Sequence, residues 1–274
     1  MKVSLFSQSL FAFDLSRAIT ATAEIGFSTI ELACINPHFD LETARKNPEE
    51  VAGQIEQAGL TVSALSLFNT FTEPGLLDEQ VESAITYIRL APLFRTKILK
   101  LTPGPPGSAE ATEEHWQSFI NALNRLIPLA REKGVRLAVE THMRQLTDTL
   151  ASSQRLMEMT PADTVGMTVD FSNLAFAGEK MTEVIGVLKS RMYHTHIKNG
   201  YIDSQGEWHF QRLDQGLVNY PEVLKLLCDA GYAGFLSIEC LSQQATEAPV
   251  ETARKDLEIL KDYISQLNYK QGER

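Results

Sequence analysis

The chain has 274 residues, 43% of them hydrophobic and 22% charged, with a formal net charge of -10. That composition suits a folded domain with a sizeable core, and no stretch approaches the ~20 apolar residues that span a bilayer. The acidic surplus speaks against a nucleic-acid partner, whose phosphates require a basic face, while leaving room for a locally positive pocket that takes a small anion.

The first apolar run, VSLF at 3–6, reads as a strand. It is followed by LSRAITATAEIG, where apolar residues recur at three- and four-residue spacing and Gly26 closes the helix. STIEL at 28–32 is a second strand, NPEEVAGQIEQAG a helix closed by Gly59, and TVSALSL at 61–67 a third strand. KILKLT at 97–102 is the fourth, running into TPGPPGSAEAT (102–112), a loop restrained by its Pro and Gly residues. That loop is no phosphate-binding P-loop, because it lacks the GK[ST] ending. WQSFINALNRLIPLAREKG, closed by Gly134, precedes the fifth strand VRLAVE (135–140). VGMTVD (165–170) and MYHTHI (192–197) are the sixth and seventh. The segment NGYIDSQGEWHFQRLDQG (199–216) is long for a strand-to-helix connection, and with Trp208 and His209 it reads as a lid loop or an oligomer contact. YPEVLKLLCDAG ends at Gly231, FLSIE (235–239) is the eighth strand, and the polar tail after Tyr269 is expected to fray.

Eight strand–helix units predict an α/β fold, a closed (β/α)8 TIM barrel that spans residues 1–274 as a single domain. A doubly wound sheet is the alternative. The three cysteines, Cys34, Cys228 and Cys240, form no CxxC pair and fit free thiols in a reducing compartment. MKVSLFSQSLF has no sustained apolar core with a cleavage site, so a cytoplasmic location with no membrane partner is expected.

The functional signal lies at the strand ends. Glu140, Asp170, His196 and Glu239 end four different strands, where an unpartnered charge would be strongly disfavoured. Each alone has an ordinary explanation, such as an ion pair of Glu140 or Glu239 with Lys100 or Lys198. Together they ask for a shared partner, and three carboxylates with one imidazole suit one divalent cation: Mn²⁺ first, with Mg²⁺, Co²⁺ or Zn²⁺ as alternatives. Strand alternation puts His142 on the face of Glu140, and His194 and Lys198 on that of His196. His194 lies deeper and reads as a structural hydrogen-bonding group. Glu31, ending the second strand, reads as holding a rim hydroxyl or neutralising a cation.

The pieces VETH, VDFSN, HTHIKN and SIEC, together with GFSTIEL and LDQGLVNYPEVLKLL, resemble the xylose-isomerase-like TIM barrels, the sugar phosphate isomerase/epimerase superfamily. That superfamily includes ketose 3-epimerases, inosose isomerases and dehydratases, and 3-dehydroshikimate dehydratases. The resemblance implies that Glu140, Asp170, His196 and Glu239 bind the metal and that Glu140 and Glu239 are the catalytic acid and base. ETHMRQLTDTLASSQRLME is similar to a stretch of the bacterial 3-dehydroshikimate dehydratases, which implies that His142, Lys198 and Lys100 contact substrate. The chain departs from the pattern at Asn173, where a substrate-binding His is common, and in HTHIKNGY, which lacks the Arg of the ketose epimerases.

The expected activity is that of a metal-dependent isomerase or epimerase of a small sugar, keto-sugar or related polyhydroxy compound. It would act by proton abstraction next to a metal-bound carbonyl, through an enediolate. The alternative is a dehydratase of the 3-dehydroshikimate type. Barrels of this kind associate, so a homodimer or tetramer is expected by analogy.

Overall fold

The computed structural model describes residues 1–272, with side chains through Leu267. The tail expected to fray after Tyr269 therefore falls outside the described side chains. Eight parallel strands close into a barrel in the order β1-β10-β7-β6-β5-β4-β3-β2. Their spans are β1 Lys2–Phe6, β2 Thr29–Ala33, β3 Thr61–Ser66, β4 Ile98–Leu101, β5 Arg136–Glu140, β6 Val165–Asp170, β7 Met192–Ile197 and β10 Phe235–Ile238. The predicted strands match these within one or two residues, and Glu239 lies just past the end of β10.

Helices alternate with the strands and cover the barrel. They are α1 Leu15–Ile25, α2 Leu41–Lys46, α3 Pro48–Gln57, α4 Leu77–Leu90, α5 Glu113–Lys133, α6 Leu150–Met159, α7 Phe171–Phe176, α8 Met181–Leu188, α9 Tyr220–Asp229, α10 Gln243–Glu247 and α11 Pro249–Gly272. Their starts follow side-chain capping: Asp14 accepts from the Arg17 amide at 2.8 Å and Asp40 from the Thr43 amide at 2.8 Å. All four glycines predicted to end helices stand at the helix end with positive φ: Gly26 at 106°, Gly59 at 72°, Gly134 at 65° and Gly231 at 72°.

The main hydrophobic core lies between barrel and helices, where Leu99, Leu137, Val139 and Val169 meet Phe119, Leu123, Leu156, Val184 and Val223. The inside of the barrel is different. Ser4 and Ser63 share a hydrogen bond there, and above them Glu31, Lys100, Glu140, Asp170, His194 and His196 are all buried. A barrel interior is ordinarily filled with branched apolar side chains. This one spends its upper layers on charge.

The long connection 199–216 is built on a hairpin: β8 (Asn199–Ile202) and β9 (Trp208–Gln211) pair antiparallel at the mouth. The turn is built by Asp203, whose carboxylate accepts the amides of Gln205 and Glu207 at 2.8 and 3.0 Å. No helix among the described residues is long and apolar enough to cross a membrane.

Candidate metal centre at the mouth of the barrel

Because β5, β6, β7 and β10 are consecutive around the barrel, their C-terminal ends form one arc. Glu140, Asp170, His196 and Glu239 each offer a ligand atom from that arc, and these atoms lie within 4.8 Å of one another. All four side chains are buried. His196 Nδ1 sits 3.1 Å from Glu140, 3.9 Å from Asp170 and 4.0 Å from Glu239.

The ordinary ion pairs that the sequence left open are also present. Lys100 Nζ lies 2.9 Å from Glu140, and Lys198 Nζ lies 2.8 Å from Asp170 and 2.6 Å from Glu239. They do not balance the charge. Four buried carboxylates, counting Glu31, face two ammonium groups, so two negative charges remain when His194 and His196 are both neutral. A divalent cation matches that surplus. Asp170 Oδ2 in addition accepts no well-aligned hydrogen bond despite the nearby ammonium. Three carboxylates, one imidazole and an under-satisfied buried oxygen fit a hard divalent ion.

The protonation shifts express the same imbalance. Burial pushes the Asp170 carboxyl up, and the charges of Glu239 and Glu140 add to that against Lys198. Burial would also raise Glu140, but Lys100 and His196 overcome it and hold that carboxyl well below its usual range. For His196 burial acts downward, yet Glu31 and Glu140 hold the imidazolium well above the ordinary histidine value. Lys198 is raised against burial by Asp170 and Glu239.

Around this cluster the predicted substrate contacts divide. Asn173 is buried, donates to the Thr141 carbonyl at 3.0 Å and leaves its Oδ1 unpartnered. His142 was expected on the same strand face as Glu140. The strand ends at Glu140, so His142 lies in the following turn, half-buried, with Nδ1 2.9 Å from the Met143 carbonyl. His194 is fully buried and bonded to Glu31 at 2.7 Å, as a structural histidine would be. Of the two readings of Glu31, the structure does not support a rim hydroxyl: the carboxylate lies sealed beneath the cluster, in contact with both imidazoles, where its charge favours the protonated form of His196.

Aromatic residues line the mouth: Trp208, singled out in the sequence, and Phe6, Phe68 and Phe210, which were not. The Lys100 ammonium lies 4.5 Å from the Phe68 ring centroid, and Phe6 packs at 5.1 Å from the His196 ring. From the hairpin, Phe210 covers Lys198 at 5.4 Å, and Trp208 lies 4.3 Å from the Arg144 guanidinium. A depression of about 190 Å³ between Arg144, Asn173, Phe176 and Trp208 opens beside the cluster.

A family model described as the xylose isomerase-like TIM barrel matches residues 19–263. The chain belongs to that family. An inosose dehydratase of Clostridium perfringens is 27% identical over 175 residues, which span 59% of each chain, so the match covers under two thirds of that relative. An inosose dehydratase of Clostridium botulinum aligns over 91% of this chain and 89% of its own at 22% identity. Among solved structures, the probable 3-DHS dehydratase AsbF of Bacillus anthracis superposes with a TM-score of 0.79 at 20% identity, covering 95% of this chain and 99% of its own. An L-ribulose 3-epimerase gives 0.80 at 19%, covering 99% and 97%. The IOLI protein, solved with a zinc atom, gives 0.81 at 16%, covering 97% and 99%. At these identities the solved structures establish a shared barrel. Epimerases and dehydratases both populate it.

Proposed function

We propose that this protein is a divalent-metal-dependent isomerase or epimerase of a small keto-sugar or related polyhydroxy compound. The observation that carries the reading is the placement of two glutamates, Glu140 and Glu239, within 4.8 Å of an imidazole and a third carboxylate at the barrel mouth. The proposed metal ligands are Glu140, Asp170, His196 and Glu239, with Mn²⁺ the first candidate. When bound, the cation would act as a Lewis acid toward the carbonyl of the substrate.

The protein's own groups supply the rest. One glutamate takes the proton from the carbon beside the carbonyl, a step usually worth about 10²–10⁴-fold. The other can return a proton to the opposite face of the flattened carbon, which inverts it, or to the neighbouring carbon, which exchanges ketose and aldose. Lys100 and Lys198 hold the two glutamates in place and present ammonium protons to substrate oxygens. His142 and Asn173 are proposed to orient the hydroxyls, and the free Oδ1 of Asn173 is suited to accept from one.

A second reading is favoured by Lys198 and by the inosose dehydratases among the relatives. An ammonium within reach of Glu239 can protonate a hydroxyl leaving from the β carbon, so that the abstracted C–H and the departing oxygen are lost together as water. Incubation in D₂O with Mn²⁺ and, separately, a ketohexose, an inosose and 3-dehydroshikimate tests both. Deuterium entering next to the carbonyl without loss of water supports the isomerase. A new conjugated or catechol absorbance supports the dehydratase. Exchange on none of a broad set of ketoses, inososes and keto acids would remove the proposal.

A further inference from the structure

Beneath the four-residue cluster lies a second group of buried side chains, Glu31, His194 and His196. His196 belongs to both. Its Nδ1 faces Glu140, Asp170 and Glu239, while its Nε2 lies 3.0 Å from Glu31 Oε1. The other Glu31 oxygen lies 2.7 Å from His194 Nε2, and Ser66 Oγ donates to Oε1. Three donors from β3 and β7 therefore converge on one carboxylate carried by β2. Strands β2 and β7 are separated by β1 and β10, so only the closed barrel brings these groups together.

Two irregularities in the ladders aim them. The β2–β3 register shifts between Ile30 and Leu32, where β3 carries one extra residue between Val62 and Leu65, so that Ser63 and Ser66 both turn into the barrel. The β6–β7 register shifts between Met167 and Thr168, leaving Tyr193 as the extra residue just before His194. A bulge of this kind re-aims the side chain at that point. Phe6 packs against the His196 ring, with centroids 5.1 Å apart and planes 30° from parallel.

We propose that Glu31 is a positioning residue for the metal centre: it receives the Nε2 proton of His196 and so fixes the tautomer whose Nδ1 lone pair faces the cation. The proposal rests on the metal-dependent reading above. A neutral imidazole carries one N–H, and a partner that holds it at one nitrogen leaves the other free as a ligand. Residues that orient a metal-bound histidine in this way are typically worth about 10–100-fold in metal affinity. His194 and Ser66 act one step further out by holding the Glu31 carboxylate. A second cation within Glu31, His194 and His196 is disfavoured, since both Glu31 oxygens already accept hydrogen bonds and His196 would lose its Nε2 proton.

The test is Mn²⁺ binding to the metal-stripped wild type and to Glu31→Gln, with stoichiometry and affinity read by calorimetry against a competing chelator. The expected result is one ion per chain in both, bound about 10–100-fold more weakly by the variant, with unchanged far-UV circular dichroism. A second measurement needs no variant: a long-range ¹H–¹⁵N correlation of Zn²⁺-loaded wild type should place the His196 proton on Nε2. It decides the matter if Glu31→Gln does not fold. Variant affinity within twofold of wild type, or a proton on Nδ1, overturns the role of Glu31 and leaves the metal reading intact. Two ions per wild-type chain, one of them lost in the variant, overturns positioning in favour of a second site. No ion bound by wild type removes the metal reading and this proposal together.

Discussion

Glu239 stands one residue beyond the last paired position of β10; its amide donates to the Ile197 carbonyl at 3.0 Å and its carboxylate accepts from Lys198 at 2.6 Å. Replacing it by Gln keeps size and burial, so the fold should persist while turnover falls by about 10²–10⁴-fold. Wild-type kcat in a folded Glu239→Gln protein would remove it from the chemistry. Lys100 offers a complementary test. It is fully buried against Glu140, and breaking a buried pair strands the remaining charge at about 3–5 kcal/mol. Lys100→Met should therefore lower the urea midpoint of the metal-free protein strongly, and Mn²⁺ should restore part of the loss by supplying Glu140 with another positive partner. A loss of stability indifferent to Mn²⁺ would show that the cation does not reach Glu140.

At the scale of elements, the hairpin β8–β9 is the part that sequence reasoning read least well. Its ladder is four residues a side: WHFQ in β9 alternates apolar and polar residues, but NGYI in β8 does not, so the local signal for a hairpin is weak beyond the Asp203-to-Gly206 turn. Its base depends on Gly216, at φ 147°, where an added Cβ would stand 2.3 Å from Asn199 Oδ1 and 2.4 Å from the Gly200 amide nitrogen. That Asn199 oxygen accepts the Gly200 and Val218 amides, and the same side chain donates to Leu213 and Val218. Gly216→Ala should displace the hairpin and with it Trp208 and Phe210. We expect KM to rise while the far-UV spectrum and the metal stoichiometry stay those of wild type. Trp208→Ala, which removes the cover over Arg144 and one wall of the depression but leaves the hairpin in place, should raise KM less. Equal KM values for both variants and wild type would mean that the hairpin does not border the substrate.

For the molecule as a whole, metal and acid should act in opposite directions on stability. A cation that binds only the folded state adds about 2.7 kcal/mol at one hundred times its Kd, so the unfolding temperature should climb with Mn²⁺ concentration. Acid works partly through His38, which is buried beside Ser7 and Phe11, far along the chain from the metal ligands. Burial lowers its pKa from 6.5 to about 4, so above pH 6.5 the imidazole is neutral in both folded and unfolded chains. Below 6.5 the unfolded chain binds the proton first, and stability falls until about pH 4, by about 3 kcal/mol in all. Urea unfolding of wild type and His38→Gln at pH 7 and pH 4.5 isolates this contribution. Equal pH-dependence in the two proteins would rule it out.

Strand–helix alternation, the glycine-closed helices and the presence of Glu140, Asp170, His196 and Glu239 at strand ends are legible in the order of residues alone. Those features are local: they follow from residue period, capping and the penalty for burying charge within a few neighbours. It takes the closed barrel to show which glutamate each of Lys100 and Lys198 braces, that Trp208 lies against Arg144, and that Glu31 reaches His194 and His196 beneath the mouth. Those contacts join groups up to 165 positions apart, and one-residue shifts in strand register determine which way the side chains point. No periodicity along the chain encodes that, because it arises when the sheet closes and its opposite walls face each other across the barrel.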